Sequence, residues 1–429
     1  MYRVPYGKAQ LEFTLPAGMR GTLVTSGPAQ PLPDAEQAIA AALAHPVASP
    51  SLRELARPGD RVCIVFTDIT RASPDHLLVP AILRELEAAG VHDKDITLLC
   101  GIGMHRPSTP EEKLIKLGQA VVERYRVIDS EPQNPDALVD LGEVHGIPLS
   151  VHRAAYEADL LIATGLVEPH QYAGYSGGCK TVAVGAAGEA LIAYSHGPRF
   201  VDDPNTRLGR TEGNPFYEAI TEAALRASLR FILNVVLDED KRVVHVRAGE
   251  PVRTHQELVA FARSIYEVPI PHRYDVVIGG VGYPKDANLY QASRAASYLF
   301  FAPTPVVRPG GFIIIPARCQ DGAGEGVGEQ RFFAAMREAR DVREILEHSR
   351  RYGYPPGQQR AFVMAKVLEE ARVIIVGSEC PDIVAACKMI PAETIEEALA
   401  MAARELGREL EVLIVPHALL TLPVVQAAI

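Results

Sequence analysis

Three loops in the first half of the chain carry acidic, basic and imidazole side chains directly after short apolar runs. These side chains are Asp68, Thr70 and Arg71 in the first loop, His105 and Arg106 in the second, and Glu168 and His170 in the third. Histidines titrate near neutral pH and are suited to proton exchange. Two simpler alternatives stay open: Asp68 and Thr70 could cap a helix beginning near Asp75, and His105 could lie in a solvated loop.

A glycine-rich segment that ends in a lysine predicts a site for an anion. It comprises Gly174, Tyr175, Ser176, Gly177 and Gly178, followed by Cys179 and Lys180. Glycines permit positive φ angles and a close approach of backbone N–H groups to a phosphate or nucleotide. The segment is not a P-loop, because Cys179 occupies the position where that motif requires glycine. A second glycine cluster, at 322–328, lacks the GxGxxG spacing and is more typical of a flexible loop.

Two further groups of candidate site residues lie later in the chain. His196 precedes a Gly-Pro pair, where a histidine is either a ligand or an ordinary loop residue. In the second half, Tyr290, Gln291 and Arg294 follow another apolar run. Arg294 lies one helical turn after Gln291, so both are expected to face an interdomain cleft unless the segment is only a helix start.

Short apolar runs rich in Val, Ile and Leu recur along the chain, and helical patterns separate several of them. Uninterrupted runs are typical of strands buried on both faces of a parallel sheet. The runs are Val62–Phe66, Ile96–Cys100, Leu160–Ala163, Phe231–Val236, Val276–Ile278, Phe312–Ile315, Val373–Val376 and Val412–Val415. Helix starts are predicted at Thr109, Asn214 and Thr394, and an apolar stripe from Leu77 to Leu86 predicts another helix. The alternation predicts an α/β fold with mostly parallel sheets, whose strand ends bring the polar loops to one active site.

The length of 429 residues predicts two or three domains, since a domain commonly has about 150 residues. A proline-rich stretch at 268–272 separates a helical pattern from the next apolar run and predicts a boundary. We therefore expect an N-terminal α/β domain over 1–270 and a C-terminal α/β domain over 271–429. The last strand, near 412–415, could belong to either half.

The composition narrows the class of partner. The chain is 48% hydrophobic and 22% charged, which excludes a disordered protein. Its 53 acidic residues outnumber 43 basic ones, which argues against nucleic acid or an anionic membrane as the main partner and favours a small molecule. We expect a cytoplasmic protein, because the sequence shows neither a signal peptide nor a run of about 20 apolar residues. Six cysteines without a CxxC pair predict reduced thiols.

Taken together, these motifs resemble those of the nickel-dependent lactate racemase family. The matching blocks are Asp68-Ile69-Thr70-Arg71, Gly103-Met104-His105-Arg106-Pro107, Glu168 to Lys180, His196-Gly197-Pro198 and Asn288-Leu289-Tyr290-Gln291. The resemblance implies an isomerase with two α/β domains and an active site in the cleft between them. It also implies nickel held by a pyridinium-3-thioamide-5-thiocarboxylic acid mononucleotide, the nickel-pincer nucleotide, attached covalently to Lys180.

The same resemblance implies a role for each candidate residue. His196 resembles the nickel ligand, and His105 and His170 resemble the pair that exchanges the substrate hydroxyl proton. The other catalytic residues it implies are Arg71, which would bind the substrate carboxylate, Asp68, Tyr290, Gln291 and Arg294. Thr70 and the glycine-rich segment would contact the cofactor. A hydride would leave the α-carbon of a 2-hydroxyacid and return on either face. The implied partners are this substrate and, transiently, the cofactor-assembly enzymes; the chain could also form a homo-oligomer.

Two features differ from the family pattern and bear on the substrate. Arg294 stands where a lysine is expected, and its planar fork is geometrically more demanding. The chain has no tryptophan, which lactate-using relatives place over the substrate methyl; the comparable stretch here is 355–360. We therefore expect a polar, roomier pocket in which Gln358 and Gln359 bind a distal hydroxyl or carboxylate of a longer substrate, such as a sugar acid. The alternatives are a lactate racemase proper, an NAD-type oxidoreductase, and a non-catalytic binding protein on the same fold.

Overall fold

The computed structural model describes residues 1–426 and contains two six-stranded sheets. The strands, in chain order, are β1 (Tyr2–Tyr6), β2 (Ala9–Phe13), β3 (Arg20–Leu23), β4 (Val62–Thr67), β5 (Ile96–Gly101), β6 (Arg126–Asp129), β7 (Leu138–Val144), β8 (Ile147–His152), β9 (Leu160–Leu166), β10 (Pro169–His170), β11 (Gly174–Tyr175), β12 (Leu229–Leu237), β13 (Val243–Gly249), β14 (Glu267–Ile270), β15 (Tyr274–Gly279), β16 (Val307–Pro316), β17 (Arg372–Val376), β18 (Ile390–Ala392), β19 (Glu411–Val415) and β20 (Leu422–Val425). Each predicted apolar run forms a strand, which confirms those predictions.

Helices connect these strands and cover the sheets. They are α1 (Ala35–Ala44), α2 (Leu52–Leu55), α3 (Asp75–Ala88), α4 (Pro110–Leu117), α5 (Gln119–Arg124), α6 (Arg153–Tyr156), α7 (Glu189–Ser195), α8 (Pro198–Val201), α9 (Pro215–Arg226), α10 (Pro251–Tyr266), α11 (Leu289–Ala292), α12 (Arg294–Phe300), α13 (Val327–Glu338), α14 (Val342–Tyr352), α15 (Gln359–Glu370), α16 (Pro381–Ala386) and α17 (Ile395–Leu406). The predicted helix starts are confirmed, because Thr109, Asn214 and Thr394 accept hydrogen bonds from first-turn N–H groups.

The first sheet has the strand order β13-β12-β9-β4-β5-β6. Its strands are parallel except β13, which is antiparallel to β12. Strands β4 and β9 are buried along almost their whole length, as expected where helices cover both faces of a sheet. Because β4, β5 and β9 are parallel, the loops that follow them emerge at the same edge.

The second sheet has the order β18-β17-β16-β15-β19-β3, and all its strands are parallel. Strand β3 comes from the beginning of the chain and pairs with β19, so that Leu23 lies opposite Ile414. The hairpin β1–β2 packs on the same sheet, since Val4 and Phe13 share a core with Val276. Strand β3 therefore belongs to the second sheet, and the β1–β2 hairpin is a separate two-stranded sheet packed against it. The division at residue 270 stays a prediction.

The end of the chain also joins the two halves. Strand β19 lies in the second sheet between β15 and β3, which decides the open question about the last predicted strand. Beyond it, β20 pairs in parallel with β14, which is the proline-rich stretch expected to be a linker. The boundary is thus a short two-stranded sheet that ties the C-terminal segment to the end of α10.

Loops of the first sheet contact helical segments of the second sheet across a cleft. Ser297 Oγ, in α12, donates to Gln171 Oε1 at 2.9 Å, and Tyr354 OH donates to the His196 carbonyl at 2.8 Å. The predicted class is therefore confirmed: two α/β domains with mostly parallel sheets and a cleft between them. Within residues 1–426, no helix is long and apolar enough to span a membrane.

Candidate active site

Asp68 and His105 lie beyond the ends of β4 and β5 and form a hydrogen-bonded pair. Asp68 Oδ2 lies 2.6 Å from His105 Nδ1, and Asp68 Oδ1 accepts a hydrogen bond from Thr70 Oγ1 at 2.7 Å. Burial opposes ionisation of Asp68, but the hydrogen bonds from His105 and Thr70 and the charge of Arg71 hold its pKa below the ordinary value. An ionised Asp68 keeps a proton on His105 Nδ1, which leaves Nε2 free to accept another.

The simpler alternatives for these loops are not supported. Helix α3 begins after Pro74, so Asp68 and Thr70 do not cap it. Arg106 is exposed and forms an ion pair with Glu112 at 2.6 Å. His105 is also exposed, as the solvated-loop alternative expects, but its Nδ1 is held by the buried Asp68 carboxylate.

A buried ion pair that the sequence did not reveal supports the first loop. Lys116 Nζ lies 2.7 Å from Asp75 Oδ2, and the two side chains are only 6% and 0% exposed. Lys116 also donates to the backbone carbonyls of Ser73, at 2.9 Å, and Arg71, at 3.3 Å. Asp75 Oδ1 accepts a hydrogen bond from Thr164 Oγ1 at 2.6 Å. The pair is well hydrogen-bonded, and it holds the backbone that presents Arg71.

The loop that carries His105 rests on a π-helical turn, Thr181–Gly185, that directly follows Lys180. Gly103 N–H donates to the Gly185 carbonyl at 3.0 Å. A Cβ at Gly101 would lie 3.1 Å from the Gly185 Cα, so the two backbones can touch only where side chains are absent. The position of Lys180 is therefore coupled to that of the His105 loop.

The glycine-rich segment folds into a short hairpin, β10–β11, and a tight turn. Its three glycines have positive φ, as predicted: Gly174, Gly177 and Gly178. The space beside them is filled by the protein itself. A Cβ at Gly178 would lie 2.8 Å from the His255 ring, and one at Gly177 would lie 2.7 Å from Asn234 Oδ1. Close packing within the chain therefore requires glycine at these positions.

The polar side chains of this segment hydrogen-bond within the protein. Ser176 Oγ donates to the Leu166 carbonyl at 2.8 Å, and Tyr175 OH donates to Glu267 Oε1 at 2.9 Å. Tyr175 is also part of a small apolar core with residues of α10. Both side chains fix the backbone that leads to the lysine.

Two further residues, which the sequence analysis missed, hydrogen-bond to the backbone of the glycine-rich turn. His255 Nε2 donates to the Ser176 carbonyl at 2.8 Å, and its Nδ1 accepts from Tyr217 OH at 3.0 Å. Asn234 Oδ1 accepts the Gly178 N–H at 2.7 Å. Because these residues come from β12 and α10, far along the chain, nothing in the local motif indicated them.

Lys180 carries an amine that is unusually easy to deprotonate. Burial and the charge of Arg71 lower its pKa to about 7, with a further contribution from Arg294, although Glu168 and Asp68 act in the opposite direction. A lysine with such a pKa is a much better nucleophile at neutral pH than an ordinary exposed lysine.

His170 is buried and presents a donor rather than a free lone pair. Its Nδ1 accepts hydrogen bonds from the backbone N–H groups of Tyr172, at 3.3 Å, and Ala173, at 3.2 Å. Burial and the charges of Lys180 and Arg71 hold the pKa of His170 well below its usual value. The neutral ring therefore carries its proton on Nε2.

His196 has the opposite arrangement, in which a lone pair is free. Its Nδ1 lies 2.8 Å from the Ile192 carbonyl, to which it donates, so Nε2 is unprotonated. Burial and the charge of Lys180 lower the pKa of His196 to about 4, against the effect of the Ile192 hydrogen bond. Its ring packs edge-on against Tyr172 and Phe216. A neutral imidazole with one nitrogen fixed by a carbonyl is the usual form of a metal-binding histidine.

The second sheet contributes Tyr290, Gln291 and Arg294 to the other side of the cleft. Asn288 begins α11, because its side chain accepts a hydrogen bond from the Gln291 N–H at 2.9 Å. Arg294 Nη2 donates to Tyr298 OH at 3.0 Å, and its Nη1 lies 3.5 Å from Gln291 Oε1. The predicted helix start is confirmed, and the expectation that Gln291 and Arg294 face an interdomain cleft stays a prediction.

Arg360 is the side chain of the 355–360 stretch that reaches this group. It is 7% exposed, its Nη1 donates to Ser297 Oγ at 2.8 Å, and its guanidinium carbon lies 5.6 Å from the centre of the Tyr290 ring. Gln358 and Gln359, which were expected to bind substrate, lie at the start of α15, and Gln359 Oε1 accepts the Gly357 N–H at 2.5 Å. A role for Gln358 and Gln359 in binding substrate stays a prediction, and Arg360 is the residue of this stretch that contacts α12.

Both halves of the chain match known domains. Residues 6–209 match the lactate racemase N-terminal domain, and residues 271–422 match the lactate racemase C-terminal domain. The chain is 31% identical to lactate racemase from Thermoanaerobacterium thermosaccharolyticum over 417 residues, which are 96% of each protein. It is 32% identical to lactate racemase from Lactiplantibacillus plantarum over 389 residues, which are 90% of each.

The fold agrees with these matches. The structure of the lactate racemase apoprotein from T. thermosaccharolyticum is 30% identical, covers 98% of this chain and 99% of its own, and superposes with a TM-score of 0.87. A protein from Thermotoga maritima shares the fold at 19% identity, with a TM-score of 0.65 over 91% of this chain and 97% of its own. The chain therefore belongs to the lactate racemase family and is an isomerase.

Proposed function

We propose that the protein is a racemase or epimerase that inverts the α-carbon of a 2-hydroxyacid with a nickel-pincer nucleotide attached to Lys180. The observation that carries this proposal is that three histidines in one cleft, His105, His170 and His196, each use Nδ1 to bond to the protein and leave Nε2 available. Two of these nitrogens carry a lone pair and one carries a proton. Family membership supports the reaction class.

The residues of the cleft fit this cofactor. The Lys180 amine, with a pKa of about 7, is suited to attack on an acyl or thioacyl carbon, and His196 Nε2 is suited to bind nickel. Residues 1–426 contain no cluster of three or more His, Cys, Asp or Glu that could hold a metal ion, so nickel bound at His196 would need its other donors from the nucleotide. When bound, the cofactor supplies an acceptor and donor for the α-carbon hydride.

His105 is the base for the substrate hydroxyl. Its Nε2 lone pair accepts the proton, and the ionised Asp68 at Nδ1 stabilises the imidazolium that forms. The side chain of His105 is 50% exposed, so a substrate entering the cleft can reach it.

His170 acts first as a hydrogen-bond donor to the substrate oxygen. Proton acceptance at Nε2 would require a proton on Nδ1, where two backbone N–H groups already donate. The ring must give up those two hydrogen bonds before it can serve as the second base. The histidine pair therefore starts the reaction in unequal states, one ready to accept a proton and the other ready to donate a hydrogen bond.

Arg71 and Arg294 bind the substrate carboxylate from opposite sides of the cleft. Their charges both act on Lys180 and His170, so all four groups share one region of the molecule. Arginine offers a planar pair of N–H donors, which matches a carboxylate in two-point contact. Holding the carboxylate leaves the α-carbon free to turn its hydroxyl toward His105 or His170.

Lactate is the substrate of the relatives by name, and a lactate racemase proper is the second candidate. The Arg360 side chain in the pocket favours a longer or more polar acid. An NAD-type oxidoreductase has less support, because the glycine cluster at 322–328 serves to begin α13: Glu329 accepts the Gly326 N–H at 2.9 Å. A non-catalytic binding protein also has less support, because binding alone does not require three histidines that each leave Nε2 available.

The test uses protein produced together with the cofactor-assembly enzymes. A panel of single-enantiomer 2-hydroxyacids is incubated with it, and loss of optical activity is followed by polarimetry or chiral chromatography. Intact-protein mass reports whether the nucleotide is attached. We expect racemisation of at least one acid, and a mass increase that maps to Lys180.

The matched variants are Lys180→Ala and Lys94→Ala. Lys94 is an exposed lysine that precedes β5, whereas the loop that carries His105 follows the other end of that strand. Lys180→Ala should lose both the mass increase and the activity, whereas Lys94→Ala should keep both. Attachment at another lysine, or full activity of Lys180→Ala, would rule out the proposed attachment site.

A further inference from the structure

Arg360 is a buried cation that forms no ion pair with a carboxylate within residues 1–426. Its side chain hydrogen-bonds to the neutral Ser297 hydroxyl, and its Nε is buried with no partner. No acidic side chain in the described part of the chain forms an ion pair with it. A buried guanidinium without a countercharge is costly, and such groups are commonly found where an anionic ligand binds.

Arg294 is in the same condition. Its hydrogen-bond partners are the neutral Tyr298 hydroxyl and Gln291 amide, and its Nε is also buried without a partner. Ser297 contacts both residues, because its hydroxyl accepts from the Arg360 guanidinium and lies 3.1 Å from the Arg294 backbone carbonyl. The charges of both guanidinium groups act on Tyr172, so the two groups lie in one region of the molecule.

A third unpaired donor lies beside them. Gln171 Oε1 accepts from Ser297 Oγ, whereas Gln171 Nε2 is buried and has no partner. Gln171 is the residue after His170, and its side chain shares Ser297 with Arg360. We call Arg360, Ser297, Gln171 and Tyr290 the distal pocket. Its donors outnumber its acceptors, and its net charge is positive.

The surroundings add to the positive charge. Lys285, which follows β15, is partly buried, and burial together with the charges of Arg294 and Arg71 lowers its pKa to about 8. Glu168 and Asp68 offset part of the positive charge near Lys180 and Arg294, whereas Arg360 forms no ion pair within residues 1–426. Arg360 is therefore the cation that a second negative group of the substrate would pair with.

We propose that the distal pocket binds a second carboxylate of the substrate, so that the enzyme acts on 2-hydroxy dicarboxylic acids in preference to lactate. This inference rests on the proposed function for the reaction itself. Arg360 Nη and Nε and the Gln171 amide form a set of N–H donors that a planar carboxylate oxygen pair satisfies. The Tyr290 ring beneath the guanidinium keeps that fork in place. Lactate, which carries only a methyl there, leaves these donors unpaired.

A phosphate group shares this anionic chemistry, and the cofactor contains one. The position of the pocket favours the substrate, because the charges of Arg360 and of Arg294, which binds the α-carboxylate, both act on Tyr172. The experiment therefore includes a nucleotide arm.

The first measurement is ligand binding to cofactor-free protein by isothermal titration calorimetry. The ligands are malate, 2-hydroxyglutarate, lactate, inorganic phosphate and nicotinic acid mononucleotide. The variants are Arg360→Met, Arg360→Lys and the control Arg351→Met, which changes an exposed arginine of α14. We expect Arg360→Met to weaken dicarboxylate binding about 10- to 100-fold, the value of one charged hydrogen-bonding group. Lactate binding should change less than about twofold, and Arg360→Lys should lie between Arg360→Met and the unchanged protein.

The second measurement is kcat/KM of loaded enzyme for the same hydroxyacids. We expect a higher kcat/KM for a dicarboxylic acid than for lactate, and Arg360→Met should reverse that order. Circular dichroism and Tm show whether Arg360→Met folds, and Arg360→Lys provides the comparison if it does not.

The outcomes separate the two proposals. Racemisation of lactate with no dicarboxylate preference overturns the distal-pocket assignment and leaves the proposed function standing. Dicarboxylate binding that depends on Arg360, in a loaded enzyme that racemises no hydroxyacid, supports the pocket and overturns the reaction. Loss of phosphate or mononucleotide binding in Arg360→Met, with dicarboxylate binding unchanged, assigns the pocket to the cofactor phosphate and overturns the inference.

Discussion

Lys180 should react with a small acylating reagent at neutral pH in the cofactor-free protein. Its pKa of about 7 means that about half of the amine is unprotonated at pH 7. A lysine with the ordinary pKa near 10.4 is unprotonated in only about one molecule in 2,500 at that pH. The expected advantage in reactive fraction is therefore ~10³. The unprotonated fraction of Lys180 itself falls as the pH drops below about 7, whereas its advantage over an ordinary lysine is lost only as the pH rises toward about 10.4.

Competitive labelling with acetic anhydride measures this directly. The protein is labelled at low conversion from about pH 5 to about pH 10, and acetylation of each lysine peptide is quantified by mass spectrometry. The midpoint of the Lys180 profile reports its pKa without any need for the cofactor. Exposed Lys94 serves as the internal control for access of the reagent.

Two substitutions test the cause of the shift. Arg71→Met removes a positive charge that lowers the pKa, so the Lys180 midpoint should rise. Glu168→Gln removes a negative charge that raises the pKa, so the midpoint should fall. A Lys180 midpoint near that of Lys94, or no movement in either variant, would refute the electrostatic account of this amine.

Three further predictions concern the groups around the cleft. Asp68→Asn should lower kcat of the loaded enzyme about 10²- to 10⁴-fold, because His105 loses the carboxylate that supports it as a base; an unchanged kcat would contradict this. Lys116→Met leaves the Asp75 carboxylate buried and unpaired, so urea unfolding should show a loss of about 3–5 kcal/mol; a loss under about 1 kcal/mol would contradict the buried pair. His196→Ala should remove nickel, measured by plasma mass spectrometry, while the attached nucleotide stays; equal metal content would place the ligand elsewhere.

The strands were predictable from the sequence where burial was complete on both faces. Uninterrupted apolar runs identify the central strands of both sheets, and capping residues identify the helix starts. Strand β3, Arg20–Leu23, was not predictable in this way, because its four residues include arginine, glycine and threonine at the edge of a sheet. Its partner β19 lies near the other end of the chain, and no local pattern indicates such a pairing.

The sequence likewise indicates some residues of the site and not others. Asp68, His105 and His170 were predictable because they lie in loops at the carboxyl ends of strands, and parallel strands bring those ends to one edge of a sheet. Lys116 gave no such signal: on a helix of mixed charge, a lysine is typical of a solvated face. Only the fold shows that it is 6% exposed and paired with Asp75. The sequence could not indicate this pair, because Lys116 lies in α4 and Asp75 lies in α3, about 40 residues earlier in the chain.

The glycine-rich segment has the predicted backbone conformation, but its glycines serve packing within the protein. Positive φ was predicted and is present, yet the absent side chains make room for His255 and Asn234 rather than for an anion. Asn234 accepts the Gly178 N–H, so that donor is not available to a phosphate. Packing this close fixes the backbone before Lys180, and a fixed backbone holds the amine among the charges that lower its pKa. The substitution Gly178→Ala would displace the His255 ring and loosen the turn. We therefore expect the labelling midpoint of Lys180 to move toward that of an ordinary lysine, although no charged group has been changed.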